Sequence, residues 1–212
     1  MSTQSEDSEL VLFGRSSSHF TRVTRIFASE LAVEYTFRPV ANLMSLDVND
    51  YGGNPALKLP VLRASGESWF GASSICRLLA RRSSAGRRVV WPEALTAALA
   101  ANAQELTLQA MATEVTLIMA QLGDAGAGSA HAIKLRRSLV DSLVWLDAHV
   151  EAALAALPAG DLSFLEVTLF CLTTHLEFRE IVPLQPYPAL RALVKRFALR
   201  PSAAHTAYRF DP

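Results

Sequence analysis

The sequence is poor in several features that mark whole classes of protein. It has two cysteines in 212 residues, too few for a disulfide-stapled scaffold and not spaced as a metal or redox motif. Its 20 lysines and arginines balance its 20 acidic residues, so no basic excess indicates a nucleic-acid or anionic membrane partner. No apolar run reaches membrane-spanning length without charges, and residues 1–9 do not resemble a signal peptide. We therefore expect a cytoplasmic protein with neither nucleic acid nor membrane as partner.

The composition is that of an ordinary globular protein. Half of the residues are hydrophobic and 19% are charged, which argues against disorder along most of the chain. The length suits one domain or two small ones. Residues 1–8 are polar and acidic and are expected to form a disordered tail. Cys76 and Cys171 lie far apart in apolar helical patterns, so we interpret them as buried free thiols.

The first part of the chain predicts a β-α-β unit. An apolar strand over residues 10–13 ends at Gly14, and a serine-rich loop leads from it into a helix. That helix carries apolar residues at helical spacing from Phe20 to Leu31. Residues 33–37 alternate and are rich in strand formers, so they predict a second strand. The two strands should be parallel.

A β-β-α unit follows. Residues 41–54 are irregular and should hold a short helix at best. A strand over 59–64, a turn at Ser65-Gly66, a strand over 67–70 and a helix over 73–82 come next. A β-α-β unit followed by a β-β-α unit is the order of a small thioredoxin-like domain. We therefore predict an α/β N-terminal domain over residues 9–82.

The remainder of the chain, residues 91–212, is helical in pattern and predicts an all-α C-terminal domain. Residues 83–88 are small or charged and form the best linker between the two domains. A long helix should follow Pro92 to about residue 122, a glycine-rich break should span 123–128, and a second long helix should cover 135–154. Ser163 and Glu166 form a capping box that opens a buried helix. A further helix should follow Pro188, and a short last one should start near Ser202.

Four stretches together resemble the glutathione S-transferase family, and the resemblance covers nearly the whole chain. Each motif is weak alone, but their order, spacing and domain layout agree with the family. They correspond to its first strand, active-site loop and first helix, its cis-proline strand, the capping box of its buried helix, and its C-terminal helix and stop. In this sequence they are residues 12–26, 54–62, 162–166 and 187–202.

The resemblance implies that the loop before the first helix binds glutathione and lowers the pKa of its thiol. Ser18 falls where serine-type members carry the hydroxyl that donates to the thiolate. The bare sequence supports an N-cap role for Ser18 about equally well, and Ser16 and Ser17 are alternatives within the loop. His19 is expected to be an exposed loop histidine, although it could donate to a ligand carboxylate.

The resemblance also implies a peptide-binding strand and a γ-glutamyl-binding turn. Leu59 would offer its backbone N–H and C=O to the cysteinyl part of glutathione, Pro60 would follow a cis bond, and Lys58 would either meet a carboxylate or be solvated. Gly71 and Ala72 stand where the family usually has an acidic residue or glutamine followed by serine. Backbone N–H groups at the helix start, or the Ser73 or Ser74 hydroxyl, would have to replace those side chains.

The implied function is conjugation of the glutathione thiolate to a small apolar electrophile, as in detoxification. The alternative is a non-catalytic binding or interaction module of this fold that has lost normal glutathione recognition, which the Gly71-Ala72 pair favours. Fold alone does not decide between the two. A two-fold homodimer is implied by the family and by the symmetry common among soluble oligomers.

Overall fold

The structure, a computed structural model, describes residues 9–122 and 129–212. The predicted tail at residues 1–8 and the predicted break at 123–128 lie outside the described residues. The chain forms two compact units: the first contains the described residues up to Arg87 together with Arg200–Pro212, and the second is Arg88–Leu199. The division into domains 9–82 and 91–212 stays a prediction, and the first unit differs from it by including the last 13 residues.

The first unit is built on a mixed four-stranded sheet. Its strand order is β2-β1-β3-β4; β1 and β2 are parallel, and β3 is antiparallel to both β1 and β4. The sheet carries two α-helices from the same stretch of chain, α1 and α2. The elements are β1 Val11–Gly14, α1 His19–Glu30, β2 Thr36–Pro39, β3 Val61–Ala64, β4 Glu67–Phe70 and α2 Ala72–Arg82. The thioredoxin-like order predicted from the sequence is therefore confirmed.

Both faces of β1 and of the start of β3 are buried, which explains the apolar sequences there, whereas Arg63 of β3 is exposed. Leu12 pairs with Leu62 on one face, and Phe13 pairs with Val61 on the other. Val61 and Phe13 form a core cluster with Val40. A strand covered on both sides cannot show polar alternation, so a continuous apolar run is the expected signature.

Several predicted bounds are corrected by the structure. The second strand is Thr36–Pro39, not 33–37, because its ladder with β1 begins where Val11 meets Thr36. The third strand begins at Val61, not at residue 59, because its pairing with β1 starts there. Within residues 41–54 the only helix described is the 3₁₀ turn Val48–Tyr51, which agrees with the expected short helix.

The C-terminal segment belongs to the first unit through Glu30 at the end of α1. The largely buried Glu30 carboxylate accepts hydrogen bonds from Arg87 at 3.0 Å, Arg200 at 3.1 Å and the Ser202 hydroxyl at 2.5 Å. Ser202 lies on a short helix, α7 Pro201–His205, near the predicted position of the last helix. A buried carboxylate needs such partners, since desolvating an unpaired charge is strongly unfavourable.

The second unit is helical, as predicted. Its α-helices are α3 Ala98–Leu122, α4 Ala130–Ala155, α5 Phe164–Phe178 and α6 Pro188–Phe197. The predicted capping box is confirmed in its serine half, because Ser163 Oγ accepts from the Glu166 amide at 3.4 Å. A short parallel pair, β5 Val89–Val90 and β6 Leu162–Ser163, was not predicted, because two-residue strands leave no periodicity to detect.

The largely apolar interior of the second unit contains a buried pair of titratable residues. Helix α5 is buried on nearly every side, as its sequence predicts. Glu114 on α3 lies 2.8 Å from His175 Nδ1 on α5, and burial raises the pKa of Glu114. Cys76 and Cys171 are buried and form no disulfide, in agreement with the sequence. Within the described ranges, no helix combines the length and apolar character needed to span a membrane.

Candidate functional site

Three loops meet at one edge of the sheet in the first unit. Strand β1 ends at Gly14, the antiparallel β3 begins at Val61 opposite Phe13, and β4 ends at Phe70 opposite Val61. The loop after β1, the chain entering β3 and the turn after β4 therefore share this edge. All the sequence-predicted site residues lie on these three segments: Ser18, Lys58, Leu59, Pro60, Gly71, Ala72 and Ser73.

The loop after β1 is a tight turn held against α1. The Ser18 amide donates to the Arg15 carbonyl at 3.1 Å, and the Arg15 amide donates to Thr21 Oγ1 at 3.4 Å. Gly14 must be glycine because a Cβ there would lie 2.4 Å from Thr21 Cγ2. The close approach of α1 to the end of β1 thus fixes where the loop can run.

Ser18 is the N-cap of α1, and its hydroxyl can still donate a hydrogen bond. Its backbone is extended, with φ −103° and ψ 125°, and its Oγ accepts from the Thr21 amide at 3.3 Å. Capping uses an acceptor lone pair, whereas a serine hydroxyl also has an O–H to donate. The capping role and the thiolate-stabilising role are therefore compatible in one residue.

Two polar neighbours of Ser18, Ser16 and His19, are more buried than Ser18 itself. Ser16 is 1% exposed, and its Oγ accepts from Arg25 Nη1 at 3.4 Å, so its hydroxyl faces the interior. Ser17 is half-buried. The expectation of an exposed loop His19 is wrong: this residue is 1% exposed, and it is the first residue of α1.

The chain entering β3 contains a cis peptide bond between Leu59 and Pro60, as the resemblance implies. The half-buried Leu59 side chain packs against the cluster of Phe13, Val40 and Val61. Lys58 is exposed. Leu59 precedes the first paired residue of β3, so its backbone lies just beyond the ladder.

Asn54 organises the turn that leads to this bond. Its side chain is 6% exposed, Nδ2 donates to the Lys58 carbonyl at 2.8 Å, and Oδ1 accepts from the Ala56 amide at 3.0 Å. One side chain thus satisfies two backbone groups of the turn. The sequence marks Asn54 as a turn residue, but it does not identify these two partners.

The turn after β4 starts α2 without a capping side chain. Gly71 is the N-cap, with φ +79° and ψ 149°, and its amide donates to the Pro60 carbonyl at 3.1 Å. This backbone conformation strains any residue other than glycine, although a Cβ there would have open space around it. Ala72 is buried and Ser73 is half-buried in the first turn of the helix.

One contact of the loop was missed by sequence reasoning. The Ser16 amide donates to Asp211 Oδ2 at 2.7 Å, across 195 residues of sequence. No periodicity or motif marks a lone aspartate next to the C-terminus. Arg22 and Arg25 are a weak indication of polar contacts made by α1, because they are charged residues within a largely buried helix.

Comparison with known families identifies the first unit. Residues 12–87 match the family described as glutathione S-transferase, N-terminal domain. This match covers the N-terminal part of the chain, and the second unit is helical. No curated protein matches the sequence.

Solved structures with the same fold cover almost the entire chain. A glutathione transferase family member from Pseudomonas fluorescens Pf-5, with bound glutathione, has a TM-score of 0.77, 20% identity and coverage of 95% of this chain and 100% of its own. A glutathione S-transferase from Methylobacillus flagellatus, with glutathione bound, has a TM-score of 0.76 at the same identity and coverages. One from Methylobacterium radiotolerans, in complex with glutathione sulfonate, has a TM-score of 0.74, 20% identity and coverages of 97% and 98%. At these identities the likeness establishes the fold.

Asn54→Ala is expected to lower the free energy of unfolding by about 1–3 kcal/mol, because it removes two hydrogen bonds that each contribute about 0.5–1.5 kcal/mol to the turn. Chemical denaturation measures the change. Asn102→Ala is the matched control, since Asn102 is exposed on α3. Equal stability of the two variants would contradict the organising role of Asn54.

Proposed function

We propose that this protein is a glutathione transferase that binds glutathione at the sheet edge and conjugates its thiolate to a small apolar electrophile. The observation that carries the proposal is the meeting of three segments at one edge: the Ser18 loop, the cis Leu59–Pro60 entry to β3 and the start of α2. The glutathione bound in similar structures supports the same ligand here.

Ser18 would stabilise the thiolate rather than act as a nucleophile. A free thiol is mostly protonated at neutral pH, and a hydrogen bond donated to sulfur favours its charged form. The first turn of α1 adds the positive end of the helix dipole next to Ser18. The thiolate then attacks an electrophilic carbon, a C–S bond forms, and the leaving group departs with the electrons of its former bond to carbon.

Leu59 and the start of α2 would hold the rest of the tripeptide. The backbone N–H and C=O of Leu59 lie at the end of a strand, where an extended peptide can add as a further strand. Its side chain is fixed in the core cluster, which limits how the backbone can turn. The amides of the first turn of α2 would donate hydrogen bonds to the γ-glutamyl carboxylate, with the Ser73 hydroxyl as an additional donor.

The second candidate function is a binding or interaction module of this fold without glutathione chemistry. The turn at Gly71 and Ala72 favours it, since neither residue offers a polar side chain to a γ-glutamyl group. A lost charge-assisted contact corresponds to roughly tenfold to hundredfold weaker binding. The two functions therefore differ first in whether millimolar glutathione binds at all.

Ser18→Ala should reduce kcat/KM for conjugation about ten- to hundredfold while changing glutathione affinity little, because the lost hydrogen bond is strongest to the charged sulfur. Rates with a chloronitrobenzene electrophile and calorimetric titration with glutathione measure the two quantities. Ser18→Thr should largely restore the rate, and Ser29→Ala, an exposed change on the same helix, is the control. An unchanged rate in Ser18→Ala would remove Ser18 from this role.

Ala72→Ser should strengthen glutathione binding about tenfold or more, because the added hydroxyl can meet the γ-glutamyl carboxylate. Direct calorimetry on the purified variant measures the affinity. Ala80→Ser, in the same helix, serves as the matched control. If native protein and Ala72→Ser both give no heat with millimolar glutathione, the enzyme proposal falls and the non-catalytic module stands.

We also propose a cytoplasmic homodimer that acts in detoxification, as the family resemblance implies. An exposed apolar loop supports self-association, since Met44 is 72% and Leu46 is 86% exposed there. Light scattering should give twice the chain mass of 23.0 kDa, and Leu46→Glu should shift it towards one chain. Leu199→Glu, at an apolar residue 85% exposed elsewhere, should not. A single-chain mass for the native protein would contradict the dimer.

A further inference from the structure

The last residues of the chain contact the loop that carries Ser18. Both parts belong to the first unit, and the contact is a hydrogen bond from the Ser16 amide to Asp211 Oδ2, 2.7 Å long. The acceptor is a carboxylate, and charge-assisted hydrogen bonds are roughly twice as strong as neutral ones. A distant segment thus contributes directly to the conformation of this loop.

The C-terminal tail, residues 200–212, is anchored on α1 before it reaches the Ser18 loop. Arg22, 5% exposed, donates from Nη2 to the Ala203 carbonyl at 3.0 Å and from Nε to Thr206 Oγ1 at 3.4 Å. Its guanidinium also lies 4.3 Å from the centroid of the Tyr208 ring. These contacts fix the path of the chain three residues before Asp211.

Ser16 is held from a second side by α1. Arg25 donates to Ser16 Oγ at 3.4 Å and to the Tyr35 hydroxyl at 3.3 Å, and its guanidinium lies 5.0 Å from the Phe37 ring centroid. The residue therefore has its amide bound by the tail and its hydroxyl bound by α1. The Ser16–Ser17 turn leads directly to the Ser18 N-cap, so fixing Ser16 restricts the orientation of the Ser18 hydroxyl.

We propose that Asp211 is a positioning residue that acts through the Ser16 amide to aim the Ser18 hydroxyl at the thiol of bound glutathione. This inference rests on the proposed function. Asp211 has two opposed electrostatic consequences: its acceptor oxygen orders the loop, while its negative charge disfavours a thiolate nearby. An asparagine keeps the acceptor and removes the charge, and an alanine removes both, so the two variants separate the effects.

The test follows the Ser16 amide and the thiol of bound glutathione in the same full-length proteins. In ¹H–¹⁵N spectra, Asp211→Ala should shift the Ser16 amide resonance and speed its hydrogen exchange about tenfold or more, whereas Asp211→Asn should keep most of the protection. Ultraviolet titration of the bound thiolate should show a raised thiol pKa in Asp211→Ala only. The kcat for conjugation should fall about tenfold in Asp211→Ala, with KM for glutathione little changed, and recover in Asp211→Asn. Arg209→Ala, an exposed change in the same tail, should leave all of these values unchanged.

The possible outcomes distinguish a failure of the Asp211 inference from a failure of the proposed function on which it rests. An unchanged Ser16 amide in Asp211→Ala overturns the inference, whether or not glutathione binds. A shifted amide with the thiol pKa and kcat unchanged overturns the positioning role, because the contact then only stabilises the fold. If the native protein itself binds no glutathione, the proposed function fails, and with it the role of Asp211 towards a thiol. A protected amide in that case shows that the failure lies in the function and not in the loop contact.

Discussion

The antiparallel pairing of β3 with β1 is the constraint on which the candidate site depends. A parallel strand would enter the sheet at the opposite edge, because the starts of parallel strands lie together and their ends lie together. Here Phe13 pairs with Val61, so the chain enters β3 beside the loop that leaves β1. The β3–β4 hairpin then returns the chain to the same edge at Phe70. The loop after β1 and the two segments that flank the β3–β4 hairpin thus converge without any long-range motif.

At this edge the shape of the candidate site depends more on the backbone conformation than on the side chains. The cis bond at Leu59–Pro60 and the positive φ of Gly71 set the directions of N–H and C=O groups, and Asn54 and Ser18 stabilise these turns by bonding backbone atoms. This explains how the fold tolerates Gly71-Ala72. The turn keeps its shape, and glycine adopts the positive φ with less strain than another residue would, although the turn lacks polar side chains that would bind a ligand.

Local signals explain which parts of this structure could be predicted. Gly14, the Ser163 capping box and the Ser65-Gly66 turn act within a few residues, and apolar periodicity located the long helices. The bounds of β2 were missed because only Phe37 of its four residues is half-buried and the others are exposed. Pairing with β1 therefore decides where the strand begins, and pairing is non-local. The bond between Ser16 and Asp211 spans 195 residues and has no sequence signature at all. Likewise, the sequence could not show that the capping role and the proposed thiol-donor role of Ser18 are compatible. That compatibility depends on capping using only the acceptor lone pair of Oγ, which leaves the O–H to donate.

The charges around the loop give the buried arginines of α1 a physical role. A carboxylate at Ser16 and a thiolate at Ser18 would place two anions on one short turn, and like charges disfavour each other's ionisation. Arg25 donates to Ser16 Oγ, and Arg22 holds the tail that carries Asp211. A guanidinium stays protonated at any pH of interest, so both arginines supply permanent positive charge to the tail and the loop. The cations that fix the tail would thus offset the charge that the tail brings, and the loop could be ordered by a carboxylate without excluding a second anion.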